Sequence, residues 1–467
     1  MVLNAPNGRD LTHFYNNKQC LTDTCQDSDH TDCWRFSPYD RAETRDYFIR
    51  MLALPLGAAL AFFVIFYLSM YDNPIIHLTS TILVFVASIF LNSRIRERIR
   101  ANRYEITAAD GLIDVQIPYD IAQEANLFRF NLNTIQNPPE YTIGFLGDIM
   151  MINDHALDFD RSVLTFFDDV DLIVGNLEGI VRVPGDTLGK QAHEQSILEK
   201  LEYFLDQVNS ITQLNHYPQL LLCLSNNHSS DYGNREFCAS LELIRAQPNI
   251  HVFGRHDTSN VTINGHPINI ATATQWSNKK NWQCISEYTN ARVDNGFATL
   301  HRANHVNIFF PHWSYENERY ARDDIQDQAN TLLIGNANRW DLIFGHHSHT
   351  RQPIQVVIDP HSGLRRLVVY SGGNFTSGAV IIREQRHIYG IIMKCRIGIL
   401  QGTAAQYAIG DVEWRRTYND RHLTAETKTV CIDRERYQRN DNLRIFLAIV
   451  IIGFVVILKV LEFLGII

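Results

Sequence analysis

The sequence predicts an α/β protein that carries helical segments long enough to cross a bilayer. From Tyr141 onward, short apolar runs rich in β-formers alternate with helical patterns, the signature of a sheet covered by helices. Three long apolar stretches lie outside that region, at 51–71, 75–91 and 445–467. Composition bounds the class further: 467 residues, 45% of them apolar, give ample length for one large domain with appendages, and 25 Gly and 14 Pro are too few for a collagen-like or low-complexity chain. With 51 acidic against 42 basic side chains the net charge is −9, which excludes nucleic acid as a partner because phosphate neutralisation requires a basic face. Eight cysteines without a CxxC pair are too sparse for a disulfide scaffold, so reduced thiols are expected.

Taken in order, residues 1–48 form a polar, aperiodic tail whose Cys20, Cys25, Cys33, His13 and His30 fit no metal-module spacing. Residues 49–92 read as a transmembrane helical hairpin, since roughly 20 apolar residues span a hydrocarbon core and about 17 suffice. The chain end, 443–467, reads as a third span, interrupted by Lys459 and Glu462, which are three apart on one helical face and able to pair. The lipid bilayer is therefore an expected partner, and an integral protein of the plasma membrane is the expected location. Arg41, Arg45 and Arg50 precede the hairpin, Arg94, Arg96, Arg98, Arg100 and Arg103 follow it, and its tip, Asp72-Asn73-Pro74, carries no Lys or Arg. The positive-inside rule then places the tip outside and the large domain in the cytoplasm, an extracytoplasmic domain being the alternative. A basic linker fills 93–140 and a connector 401–442.

The central domain, 141–400, contains β-type runs at 142–146, 171–175, 220–224, 268–271, 306–310, 342–344 and 367–370, with helical patterns at 196–208, 235–246 and 323–333. The strand ends carry the chemistry. They deliver Gly147-Asp148, Asn176-Leu177-Glu178, Asn226-Asn227-His228, Pro311-His312-Trp313 and Gly345-His346-His347-Ser348-His349. Ligands of open α/β sheets bind beyond the carboxyl ends of strands, so these residues define one site. Carboxylates, an amide oxygen and imidazoles together suit two borderline divalent cations such as Mn, Fe or Zn.

The ordered set Gly147-Asp148, Asn227-His228, His312 and His347-x-His349 resembles the calcineurin-like metallophosphatase superfamily. Its finer wording, with Asn226-Asn227-His228-Ser-Ser-Asp231-Tyr-Gly233 and Tyr370-Ser-Gly-Gly-Asn374-Phe375, is similar to the CapA branch, the capsule and poly-γ-glutamate biosynthesis proteins. That resemblance covers 141–385 and implies a four-layer α-β-β-α sandwich. It also implies roles: Asp148 and His349 bind the first metal, Asn227, His312 and His347 the second, and Glu178 bridges them, with Asn176 the competing bridge. His228 would act catalytically, oriented by Asp231, protonating a leaving oxygen or stabilising charge. One departure is Met150, where the superfamily usually has His; a thioether is a poor ligand for hard ions, so the first site is expected to bind metal more weakly, to use His346 instead, or to stand empty.

Two functions follow from the resemblance. The first is a membrane-anchored, two-metal phosphoester hydrolase acting on an anionic substrate and serving capsule or poly-γ-glutamate biosynthesis. The alternative is a non-catalytic accessory subunit for synthesis or export of an anionic polymer, partnered with polymer synthetase subunits.

Overall fold

A computed structural model describes residues 127–432 apart from the internal segments 153–155, 183–190, 213–215, 280–283, 319, 378–386 and 420–426, together with short strands Leu3–Asn4, Ile113–Asp114 and Ala122–Glu124. The three stretches expected to cross a membrane lie outside the described residues. Among the described residues, no helix is long and apolar enough to cross a membrane.

The central strands are β1 (Tyr141–Ile149), β2 (Leu172–Leu177), β3 (Gln219–Cys223), β4 (Ile250–Phe253), β5 (Asn260–Ile263), β6 (Ile268–Ala271), β7 (Val306–Phe309), β8 (Leu342–Phe344), β9 (Ile354–Ile358), β10 (Arg365–Val369), β11 (Asn374–Thr376), β12 (Tyr389–Ile399) and β13 (Tyr407–Asn419). They form two sheets. One has the order β4-β3-β2-β1-β12-β13, with β11 beside β1 and Leu127–Asn131, Thr427–Ile432 and Ala156–Phe159 extending it past β13. The other runs β5-β6-β7-β8-β10-β9. The strands β4 to β1 are mutually parallel, as are β6, β7, β8 and β10, so within each sheet their carboxyl ends share one edge. The first sheet takes strands from outside 141–400, because Leu127–Asn131 pairs with β13 in antiparallel register.

Period-two alternation decides where each residue points. Ile143, Phe145, Leu172, Val174 and Leu221 of the first sheet meet Ile268, Ile270, Ile308, Leu342, Phe344 and Leu367 of the second in one shared core. Their neighbours Leu146, Ile173, Leu220 and Leu222 face the other way, against Leu201, Phe204 and Val208 of α1 (Ser196–Ile211) and Phe237, Leu241 and Ile244 of α2 (Asn234–Arg245). Both helices repeat apolar residues at three- and four-residue intervals, which gives each a single apolar stripe. On the second sheet, Phe309, Ile343 and Val368 face Ile325 and Ala329 of a helix at Asp323–Asn330 and Leu332 and Leu333 of the π-helical turn that continues it. The layers are helix, sheet, sheet, helix. Full burial of such side chains is worth about 1.5–3 kcal/mol each, which fixes the strand ends rigidly enough to carry a site.

Cys223, Cys284 and Cys395 are buried free thiols. Cys238 is disulfide-bonded, a departure from uniformly reduced cysteines that spacing alone gave no means of reading.

Candidate metal centre

Adjacent parallel strands bring the candidates together. Asp148 ends β1, Asn176 lies in β2 and Glu178 just after it; Asn227 and His228 occupy the turn after β3, His312 follows β7, and His346 to His349 follow β8. Asp148 and Asn176 are register partners, as are Asp148 and Asn374 on the other side of β1. His312 and His346 form an isolated parallel bridge that prolongs the β7–β8 pairing. Close backbone packing holds the first carboxylate, since Asp148 N–H donates to Gly373 O at 2.8 Å. A Cβ on Gly147 would collide with that same carbonyl. The His347-Ser348-His349 turn puts both histidines in the left-handed region, φ 93° and 54°. Non-glycine residues enter that region at a cost, and here it turns both imidazoles toward the carboxylates.

Asp148, Asn176, Glu178, Asn227, His312, His346, His347 and His349 are all buried, and three sets of donor atoms each lie within 4.8 Å of one another: Asp148, His312 and His346; Glu178, His312 and His347; Asp148, Glu178 and His349. Glu178 belongs to two of them. His349 Nδ1 is 3.4 Å from Asp148 Oδ2, and its Nε2 is 3.6 Å from Glu178 Oε1. His346 Nδ1 lies 3.5 Å from Asp148 Oδ1 and 2.7 Å from His312 Nδ1. His312 Nε2 is 3.0 Å from Asn227 Oδ1. Asn176 turns its amide nitrogen to Asp148 Oδ1 at 2.8 Å, while its oxygen accepts from Asn226 Nδ2 at 3.2 Å. Met150 contributes its carbonyl to Thr376 Oγ1 at 2.8 Å and belongs to none of the three donor sets.

The electrostatics fit a cation. Burial pushes Glu178 well above the usual carboxylate range, and repulsion from Asp148 adds to it against the opposing charge of His349. Burial acts on Asp148 in the same sense, but the hydrogen bond from His349 and the neighbouring imidazole charges outweigh it and hold Asp148 low. Burial opposes a charge on His349, yet Glu178 and Asp148 raise that ring to about 10. Burial, with repulsion from neighbouring rings, keeps His312 and His347 far below the ordinary imidazole value, and burial takes His346 to about 4. Three imidazoles are thereby neutral, with lone pairs available as metal ligands require. Glu178 Oε1 and His347 Nδ1 are buried without a hydrogen-bond partner, an expensive condition unless something else binds them. A bound cation would satisfy both.

At the rim, His228 is part-exposed. Its Nδ1 is 2.6 Å from Asp231 Oδ2 and its Nε2 is 3.9 Å from Glu178 Oε1. Asn226, one of the expected strand-end residues, locks Asn176 and Leu177. Several other neighbours escaped sequence reasoning: His193 reaches the Glu178 carbonyl at 2.9 Å, Trp276 lies along the His347 ring at 5.8 Å, and Asn278 approaches His228. Trp276 and Asn278 follow β6, the strand whose carboxyl end carried no His or acidic residue to draw notice. The sheet-edge rule itself was the signal that would have found them.

The fold and site define a class: a layered α/β domain with buried carboxylate and imidazole clusters at its strand ends that could hold metal ions. Residues 142–379, half of the chain, match the family model described as bacterial capsule synthesis protein PGA_cap. The chain belongs to this family, the CapA branch. No curated protein matches the chain.

Proposed function

We propose that this protein is a membrane-anchored, metal-dependent hydrolase of the phosphoesterase type, with the metallophosphatase sandwich as its scaffold, working in capsule or poly-γ-glutamate biosynthesis. The observation that carries the reading is Glu178 Oε1, a buried carboxylate oxygen with no hydrogen-bond partner, reached by His349 on one side and His228 on the other. Asp148, Glu178 and His349 would hold one divalent ion, and Glu178, Asn227, His312 and His347 a second. Mn, Fe or Zn suits that donor set, and such ions would supply Lewis acidity and an acidified water at neutral pH. The chain's own residues do the rest. Asp231 accepts the Nδ1 proton of His228 and so fixes the tautomer, leaving Nε2 facing the site to hold or deliver a proton. Asn176 holds Asp148 in place through its amide nitrogen.

The test uses the full chain in detergent with Mn and an aryl phosphate. Hydrolysis that is lost in His228→Ala while bound metal is retained supports the reading; a metal-loaded wild type that hydrolyses no phosphoester overturns it. A second reading, an accessory subunit that grips anionic polymer without turnover, is favoured by Met150, which leaves the first ion short of the usual imidazole. The arginine flanks of 49–92 support anchoring with the domain on the cytoplasmic side. A reporter fused near residue 105 that responds only outside the cell refutes that placement.

A further inference from the structure

We infer that Asn278 is a positioning residue for the His228–Asp231 pair; its kinetic consequence rests on the hydrolytic reading, its structural one does not. Beyond β6 the chain is tied across the site before the asparagine is reached. Gln275 N–H donates to His312 O at 2.9 Å, Trp276 Nε1 donates to Ser314 O at 2.6 Å, and Asn278 N–H donates to Asn227 O at 2.9 Å. That backbone placement aims the Asn278 amide nitrogen at Asp231 Oδ1, 3.3 Å away, and sets it 3.1 Å from His228 Nδ1.

The Asp231 carboxylate is thus held from several directions. His228 Nδ1 and Gln191 N–H meet Oδ2 at 2.6 and 3.3 Å, and Asn278 meets Oδ1. A carboxylate held in one rotamer holds its imidazole in one orientation, and Nε2 then keeps its line to Glu178 Oε1. The geometry calls for a hydrogen-bond donor at 278, which the amide supplies. A donor must face a carboxylate, and an isosteric aspartate would set like charges side by side. Asn278 itself is exposed, so its truncation removes the hydrogen bond to Asp231 without opening a core.

The experiment compares Asn278→Ala and Asn278→Asp in the full chain, alone and with Asp231→Ala. The expected order of kcat is wild type, then Ala about tenfold lower, as for an outer partner of a site imidazole, then Asp lower still, with KM and bound metal unchanged. On the Asp231→Ala background, Asn278→Ala changes kcat less than about twofold, because both act through one imidazole. Independently of turnover, carbethoxylation of His228 by diethyl pyrocarbonate, followed by peptide mass spectrometry, accelerates several-fold in both Asn278 variants. An Asn278→Asp variant matching wild type, additive losses in the double variant, or an unchanged carbethoxylation rate overturns the inference. Should the wild type hydrolyse nothing, the hydrolytic reading falls and the carbethoxylation rates alone decide this one.

Discussion

Metal binding should release protons and strengthen with pH, and the size of the effect follows from His349. Between Asp148 and Glu178 that ring titrates at about 10, so near pH 7 it is a cation in metal-free protein. A ligand must be neutral, so each unit of pH below 10 costs about a factor of ten in apparent affinity. From pH 7 to 10 that amounts to about a thousandfold, or about 4 kcal/mol at 1.36 kcal/mol per unit. The other imidazoles add no slope over that window, because His312, His346 and His347 are already neutral. Glu178, also displaced upward, adds to the release if it keeps its proton. Titration calorimetry with Mn at pH 6.5, 7.5 and 8.5, in buffers of differing ionisation enthalpy, measures both quantities. At least one proton should leave per protein, and affinity should climb about tenfold per unit. An affinity flat across those values, with no proton released, would refute the electrostatic account of the cluster. The same shift has a stability consequence of definite sign: a raised pKa stabilises the metal-free fold below the ring's ordinary value near 6.5, and that contribution disappears as pH rises through about 10.

Glu178→Gln keeps the side chain's shape and its contact with the Asn176 amide region but removes the charge common to two donor sets, so bound metal measured by atomic absorption should fall at both positions while circular dichroism is unchanged. Gly147→Ala forces a methyl group into Gly373 O, and overpacking of this kind costs about 1–3 kcal/mol, read as a lower unfolding midpoint together with weakened metal binding through displaced Asp148. Phe145→Ala removes a ring stacked 5.2 Å from Phe344 between the sheets and should cost about 3–5 kcal/mol in chemical denaturation, far more than any rim substitution.

Much of this architecture was legible because it is local. The runs at 268–271 and 342–344 coincide with β6 and β8, and the helical pattern at 196–208 extends only one turn further to Ile211. Parallel buried strands are nearly continuous in apolar residues, and their polar endings stand out against that background. Strand β13 was hidden for the opposite reason. Asp411, Glu413, Arg415 and Arg416 make 407–419 read as a polar connector, yet Glu413 is 2% exposed and bonded to Arg396 at 2.6 Å and Arg129 at 2.9 Å. A sheet can absorb charge when cross-strand partners neutralise it, and no window along the sequence shows a partner 284 residues away. Asn278 was hidden likewise, since its importance lies in reaching Asp231 across 47 positions.

The choice between Glu178 and Asn176 as the residue shared by two ions turns on donors and acceptors. Asn176 spends its nitrogen on Asp148 and its oxygen on Asn226, so both ends of the amide are occupied by the protein. Glu178 spends Oε2 on Asn176 at 3.4 Å and leaves Oε1 unpartnered among imidazoles. Charging a carboxyl in that condition is costly, which is why burial pushes Glu178 upward, and the one positive charge His349 supplies must serve two carboxylates. His312 Nε2 facing Asn227 Oδ1 across 3.0 Å repeats the pattern: when His312 Nδ1 carries the proton shared with His346, two lone pairs point at one another. Water could donate to such pairs, but it cannot offset the carboxylate charge. A divalent cation answers both demands, which is why the residues that make this cluster costly to bury are the ones we assign to metal.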